Sequence, residues 1–100
     1  MEQVNVVGVE NGVLKIALSG DIDLGNAEEF YETVMVAYAD TDLEFDCAQL
    51  TFIDSTTLGT FVKILKTVKS KGKKMKLTAL QSKIKKLFLI CSLDKIMEIA

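Results

Sequence analysis

The sequence predicts an α/β fold in which a mixed β-sheet with an N-terminal hairpin is covered by α-helices. Two β-type segments open the chain and are joined by Asn11-Gly12, the dipeptide most typical of a tight hairpin turn. Three helical segments then alternate with short strand-like segments, a pattern typical of parallel βαβ units. A chain of 100 residues suffices for one hydrophobic core, so we expect residues 1–100 to form a single domain.

The hairpin strands are expected at Val4–Glu10 and Val13–Ser19, and Gly20 is expected to end the second one. Asn26 then provides a cap for the first helix, with Glu29 at the capping-box position three residues later. The residues that follow have apolar spacings of three and four, which predicts a helix with one buried face. That face comprises Ala27, Phe30, Tyr31, Val34 and Tyr38.

The third strand and the second helix are expected on either side of a polar turn. Apolar and acidic residues alternate over Asp42–Cys47, as in a half-buried strand. Residues 54–57 read Asp-Ser-Thr-Thr, a concentration of residue types that cap helices, and Gly72 provides a stop signal. The buried face of the helix between them is predicted to comprise Leu58, Phe61, Val62, Leu65 and Val68.

The last three elements complete a β-β-α-β-α-β-α-β order. We expect a fourth strand at Lys76–Leu80, a third helix capped by Ser82, and a short strand at Ile96–Ile99. The third helix is predicted to bury Ile84, Leu87, Phe88 and Cys91.

Composition excludes several kinds of active site. The chain has no histidine, so it cannot build a Ser-His-Asp triad or a histidine-ligated zinc site. Cys47 and Cys91 lie apart without a CxxC motif, and we expect two reduced, buried thiols. The N-terminus lacks the features of a signal peptide, and apolar runs such as Leu87–Cys91 are too short to cross a bilayer. We therefore expect a cytoplasmic protein with no histidine-based catalytic site, no histidine-ligated metal and no membrane partner.

Charge is divided unevenly between the two halves of the chain. Residues 1–54 carry one lysine against twelve carboxylates, a net charge of −11, and residues 55–100 carry eleven lysines against two carboxylates, a net charge of +9. Arginine, the usual bidentate reader of bases and phosphates, is absent, so solvated faces are favoured over a nucleic-acid site. Lys83, Lys85 and Lys86 oppose the dipole of the third helix; they form either a solvated face or a docking site for an acidic partner.

The segment Phe52–Gly59 is the strongest candidate for a functional site. It places Ser55 at a strand-to-helix turn, where free N–H groups and the helix dipole tolerate a phosphate. Alternatively, Asp54 or Ser55 only caps the helix. Gly59 weakens the helix by about 1 kcal/mol relative to alanine, which close approach of another backbone, from a neighbouring element or a partner, would explain.

Two enzymatic or carrier roles for Ser55 fit the sequence poorly. A hydrolase would need a base beside the serine, and the chain has neither histidine nor an SxxK lysine there. A carrier with a prosthetic group on Ser55 would be an acidic helical bundle, whereas this chain has strong strand signals.

Four segments resemble STAS domains, specifically the free-standing bacterial anti-sigma factor antagonists. The family signature is matched by Asp54-Ser55-Thr56 followed by Leu58-Gly59, although Thr57 stands where the family usually has glycine and adds a second hydroxyl. Many relatives also carry a further C-terminal helix beyond the position of Ala100. The other similar segments are Ser19–Asp23, Leu43–Cys47 with Leu50–Ile53, and Leu87-Phe88 with Leu93–Ile99.

The resemblance implies a STAS-like fold and a non-enzymatic switch. In that family the antagonist binds an anti-sigma factor that is also a serine/threonine kinase, and thereby releases a sigma factor. Phosphorylation, which falls on Ser55 here, ends the interaction, and a separate serine phosphatase restores it. The kinase supplies ATP and Mg²⁺, so no cofactor and no direct contact with nucleic acid are implied. The implied partner-binding residues are Asp21, Asp23, Asp54, Ser55, Thr56, Thr57 and Gly59. The alternative is a STAS interaction or scaffold module of another stress-signalling complex.

Overall fold

Five strands form one mixed sheet in the computed structural model, which describes residues 1–100. The predicted order of strands and helices is confirmed, with one added turn of 3₁₀ helix at Leu93–Lys95. The elements are β1 (Val4–Glu10), β2 (Val13–Ile22), α1 (Ala27–Ala37), β3 (Asp42–Ile53), α2 (Ser55–Ser70), β4 (Met75–Thr78), α3 (Ser82–Ile90) and β5 (Glu98–Ile99).

The strands lie in the sheet in the order in which they occur in the chain. β1 is antiparallel to β2, and every later pair is parallel. Each of the three parallel connections leads to the next strand in the same direction across the sheet. Because such crossovers are right-handed, their helices cover the same face of the sheet. The opposite face carries charged side chains in register across the strands: Lys15 lies 3.6 Å from Glu44, and Lys76 lies 3.5 Å from Glu98.

The core lies between the sheet and the three helices. Twenty-two buried residues form one hydrophobic cluster. At its centre the ring of Phe61 lies 5.3 Å from Phe30, 5.5 Å from Phe45 and 5.4 Å from Phe88, centroid to centroid, with the rings tilted or edge to face. This geometry is favourable for aromatic pairs, and it joins all three helices to β3.

The two central strands are longer than predicted. Gly20 does not end β2; it adopts a φ of +68° at a register shift, and the strand continues to Ile22. β3 likewise continues beyond Cys47 to Ile53. The second halves of the two strands pair with each other, and this long-range pairing leaves no periodic signal in either segment. As a result, Ile22 and Ile53 lie side by side.

The sheet is irregular or short at both of its edges. β1 carries a bulge between Val6 and Gly8, and Gly8 has a φ of +137°, a conformation that residues with a side chain rarely adopt. At the other edge, β5 has only two residues, because Ile96 belongs to the turn after the 3₁₀ helix. β4 begins at Met75 and ends at Thr78, since Ala79 takes a left-handed φ of 59°.

Several sequence predictions about caps and burial are wrong. Asn26 precedes α1, but its side chain does not cap the helix. Ser82 is the first residue of α3, and the residue at the cap position, Gln81, makes no side-chain capping bond. α3 has only nine residues and buries Ile84 and Phe88, so Leu87 and Cys91 are exposed. The other half of the cysteine prediction is confirmed: Cys47 is a free, buried thiol, and burial raises its pKa to about 12.

Candidate functional site

The candidate site lies where β2 and β3 end side by side. The turn after β2 contains Asp23 and Leu24, and the turn after β3 leads through Asp54 into α2. Parallel strands present their carboxyl ends at one edge of the sheet, and ligands commonly bind there in α/β folds. This packing brings together the acidic turn and the Asp-Ser segment, which the sequence separates by about 30 residues.

Of the two residues that could cap α2, Asp54 and Ser55, the structure shows that Asp54 does so. Its Oδ1 accepts a hydrogen bond from the backbone N–H of Thr57 at 3.0 Å. Ser55 is the first helical residue, and its side chain is exposed. The hydroxyl of Ser55 is therefore not used for capping and faces solvent at the N-terminus of a 16-residue helix.

The second oxygen of Asp54 ties the two turns together. Its Oδ2 accepts a hydrogen bond from the backbone N–H of Leu24 at 2.9 Å. The bonds from the N–H groups of Thr57 and Leu24 lower the pKa of Asp54 below its ordinary value, because they favour the charged form. Asp54 thus acts as an internal link in addition to its place in the acidic surface.

Thr57 is fully buried, which corrects its expected place among the residues that touch a partner. Its Oγ1 donates to the backbone carbonyl oxygen of Ile22 at 2.6 Å and lies 3.0 Å from Oδ1 of Asp54. A buried side chain cannot contact a partner directly, and its hydroxyl is inaccessible to a kinase. Thr57 instead fixes the start of α2 to the end of β2.

Asp21, at the end of β2, and Asp23, in the turn after it, each use one carboxylate oxygen in a hydrogen bond within the chain. Oδ1 of Asp21 accepts from the hydroxyl of Thr51 at 2.9 Å, and Oδ1 of Asp23 accepts from the N–H of Gly25 at 2.9 Å. Asn26 completes the turn: its Oδ1 accepts from the N–H of Asp23 at 2.8 Å, and its Nδ2 donates to the carbonyl of Asp21 at 3.0 Å. These bonds explain why Asn26 is not available to cap α1.

Sequence reasoning missed Leu24, which lies at the tip of this turn. Its side chain is 75% exposed, although its backbone is fixed by Asp54. It borders a groove of about 290 Å³ between α1 and α2, which Tyr31, Thr56 and Lys63 also line. A single apolar residue between turn formers gives only a weak signal in the sequence, because exposure depends on the fold.

Gly59 lies on the exposed face of α2, one turn after Ser55. A Cβ atom built on Gly59 would have no atom within 4 Å apart from its chain neighbours and the backbone of its own helix. No neighbouring element of the chain therefore approaches this glycine, and that explanation for it is wrong. The other explanation, close approach of a partner, stays a prediction.

Comparison with known proteins gives the family of the chain. The family model of the STAS domain matches residues 5–100. The anti-sigma-B factor antagonist of Bacillus subtilis (strain 168) is 33% identical over 98 residues, which cover 97% of this chain and 89% of that protein.

Two solved structures show the same fold. An anti-sigma factor antagonist from Mycobacterium paratuberculosis superposes with a TM-score of 0.83 at 19% identity, covering 96% of this chain and 82% of that one. The Bacillus cell fate determinant SpoIIAA in its phosphorylated form superposes with a TM-score of 0.74 at 19% identity, covering 97% and 90%. The predicted STAS-like sheet is thereby confirmed. The chain belongs to the STAS domain family.

Proposed function

We propose that this STAS protein is an anti-sigma factor antagonist that phosphorylation of Ser55 switches off. The observation that carries the proposal is the exposed Ser55 hydroxyl at the start of α2, beside a cap that Asp54 already provides. The 33% identical relative, named as an anti-sigma-B factor antagonist, supports the same class. SpoIIAA, whose structure is similar to this one, is known in a phosphorylated form.

The position of Ser55 suits a phosphate without loss of the fold. A phosphate adds about −1.5 to −2 charges at neutral pH, and the N-terminus of a helix tolerates negative charge. The Asp54 cap does not use the Ser55 hydroxyl, so α2 keeps its cap after modification. The effect of the phosphate is therefore expected on a partner rather than on the folded state.

The proposed partner surface surrounds Ser55. Thr56 and Gly59 are exposed on α2, Asp21 and Asp23 contribute acidic groups, and Leu24 supplies an apolar centre. Buried apolar anchors ringed by polar groups dominate binding energies at many interfaces. Asp54 and Thr57 support this surface through hydrogen bonds: Asp54 fixes the backbone of Leu24, and Thr57 fixes the end of β2.

The proposed partner is an anti-sigma factor with serine/threonine kinase activity, and a separate serine phosphatase regenerates the unmodified chain. The kinase brings ATP and Mg²⁺, so this chain acts as a binding protein and substrate, with no catalytic role. We place its action in the cytoplasm, where an anti-sigma factor and its sigma factor meet, with residues 1–100 acting as one STAS domain. No helix of the structure is long and apolar enough to span a membrane.

The test is phosphate transfer to a defined hydroxyl. The chain is incubated with Mg²⁺-ATP and each anti-sigma factor kinase of the organism that encodes it, and its intact mass is measured. We expect a gain of one phosphate that maps to Ser55, disappears in Ser55→Ala and persists in Thr56→Ala. A phosphate that maps to Thr56, or a chain that takes no phosphate from any of these kinases, would contradict the proposal.

A further inference from the structure

A second groove opens at the same edge of the sheet, between the end of β3 and the start of α3. It has a volume of about 260 Å³ and contains two partly exposed apolar side chains, Phe52 at 47% and Leu87 at 38% exposure. We call it the β3–α3 groove, and its lining residues are Thr51, Phe52, Ile53, Lys83, Ile84 and Leu87. Most of the lining is apolar, so water covers it at a free-energy cost.

Three unpaired lysines lie near the start of α3, and one of them, Lys83, lines this groove. Lys83, Lys85 and Lys86 fall within the first five residues of α3, whose first turn has no acidic residue. None of the three lies within 4 Å of a carboxylate, and all four ion pairs of the chain use other lysines. Positive charge at the N-terminus of a helix opposes its dipole, and here no side chain of the protein compensates it.

We propose that the β3–α3 groove binds an acidic amphipathic segment of the protein partner. An apolar side chain of that segment lies between Phe52 and Leu87, and its carboxylates face Lys83 and the basic start of α3. The inference rests on the proposed function, because it assigns the groove to the anti-sigma factor that contacts Ser55. Ile53 lines the groove and is followed directly by Asp54 and Ser55, so one partner can cover both surfaces.

The charges of this edge also give the partner an orientation. The end of β2 and the turn after it are acidic, with Asp21 and Asp23, whereas the start of α3 is basic. A complementary partner presents cations to the turn and carboxylates to α3, and the reversed orientation brings like charges together. The same acidic turn repels a nucleic-acid backbone, and the chain has no arginine to read bases, so a protein segment fits better than DNA or RNA.

A peptide titration followed by NMR tests the groove directly. The probe is a synthetic helical peptide with leucines on one face and glutamates on both flanks. We expect the backbone amide signals of Phe52, Lys83 and Leu87 to shift on addition of this peptide. A control peptide with lysines in place of the glutamates should leave them unchanged.

Matched variants separate the groove from net charge. The triple variant Lys83/Lys85/Lys86→Gln and the single variant Leu87→Gln should each weaken peptide binding by about tenfold. The triple variant Lys66/Lys69/Lys73→Gln, which removes the same charge from exposed positions elsewhere, should change it by less than about twofold. Circular dichroism confirms that each variant is folded.

Three results would overturn the proposal: no shifts at the groove, equal weakening by both triple variants, or tighter binding of a DNA duplex to the same residues. The titration involves neither Ser55 nor a kinase. Failure to phosphorylate Ser55 would therefore remove the proposed function and leave the groove result intact. Phosphorylation of Ser55 without peptide shifts would remove the groove alone.

Discussion

Replacing Thr57 with valine keeps the shape of this buried side chain and removes only its hydroxyl. The change deletes the 2.6 Å hydrogen bond to the Ile22 carbonyl and leaves the N–H of Thr57 available to the Asp54 cap. A buried polar group that loses its partner destabilises a protein by about 1–3 kcal/mol. For a domain of this size, that loss lowers the melting temperature by at least about 4 °C.

Thr60→Val is the matched control, because it makes the same chemical change one turn later in α2. The Thr60 hydroxyl donates at 3.0 Å to the Thr56 carbonyl within the helix, at an exposed site. We expect its stability to stay within about 0.5 kcal/mol of the wild type. Urea unfolding and calorimetry measure both variants. If Thr57→Val is as stable as Thr60→Val, the buried hydroxyl does not hold β2 to α2 and the reasoning fails.

The same variant separates positioning from modification. Ser55 keeps its exposed place, so Thr57→Val should still accept phosphate from the kinase. Its affinity for the anti-sigma factor should fall, because the turn that carries Leu24 is held less firmly through Ile22 and Asp54. Loss of phosphorylation with unchanged folding would show that Thr57 acts at the modification site itself.

Four further predictions concern the surface and its charge. The partner segment in the β3–α3 groove carries carboxylates next to Ser55. With one of them about 6 Å from Ser55 and an effective dielectric constant near 20, each negative charge added at Ser55 weakens binding by about 3 kcal/mol. In calorimetry with ADP present, Ser55→Asp should therefore bind the anti-sigma factor at least about tenfold more weakly than wild type, and Ser55→Ala should stay bound after kinase treatment. Equal affinity of Ser55→Asp and wild type would count against the switch. Leu24→Ala should lower affinity about tenfold with little change in stability, whereas Val36→Ala, at an 89% exposed position on α1, should change neither; matching effects would deny Leu24 a special role. Asp23→Asn keeps an acceptor for the N–H of Gly25 and loses the charge, so affinity should fall about tenfold while the melting temperature holds, and parallel losses would mark Asp23 as structural. The lowered pKa of Asp54 stabilises the folded state at pH values above the ordinary pKa of an aspartate, and this contribution disappears as the pH falls through the folded-state pKa. The stability of Asp54→Asn should therefore depend less on pH in the acid range than that of the wild type. An identical pH dependence of the two proteins in that range would refute the link.

Local patterns predicted the elements and their order well, because hairpin turns and apolar periodicity leave their signal within a few residues. Asn11-Gly12 marked the first turn, and the apolar spacing of α2 marked Phe61, which lies at the centre of the aromatic cluster. The errors arose where tertiary contacts override local preference. Gly20 ends many strands but here permits a bulge, and Asn26 caps many helices but here bonds the preceding turn.

The candidate site was predicted as residue types and not as roles. The sequence singled out Asp54, Ser55 and Thr57 as neighbours at a helix start, and it could not tell which would cap, face solvent or be buried. That division depends on the packing of β2 against α2, which places the Ile22 carbonyl beside Thr57. Leu24 was missed for the same reason, since its importance comes from exposure beside Ser55 rather than from its type.

The irregular edges of the sheet bear on how the protein stays free of aggregation. β1 exposes Val6, Val7 and Val9, and an apolar edge strand of this kind is a template for pairing with another chain. The bulge before Gly8 interrupts that template, and β5 offers only two residues at the opposite edge. A side chain at position 8 would oppose the φ of +137° and favour a straighter strand. Gly8 therefore protects a surface far from Ser55, and substitutions there are expected to lower solubility before they alter partner binding.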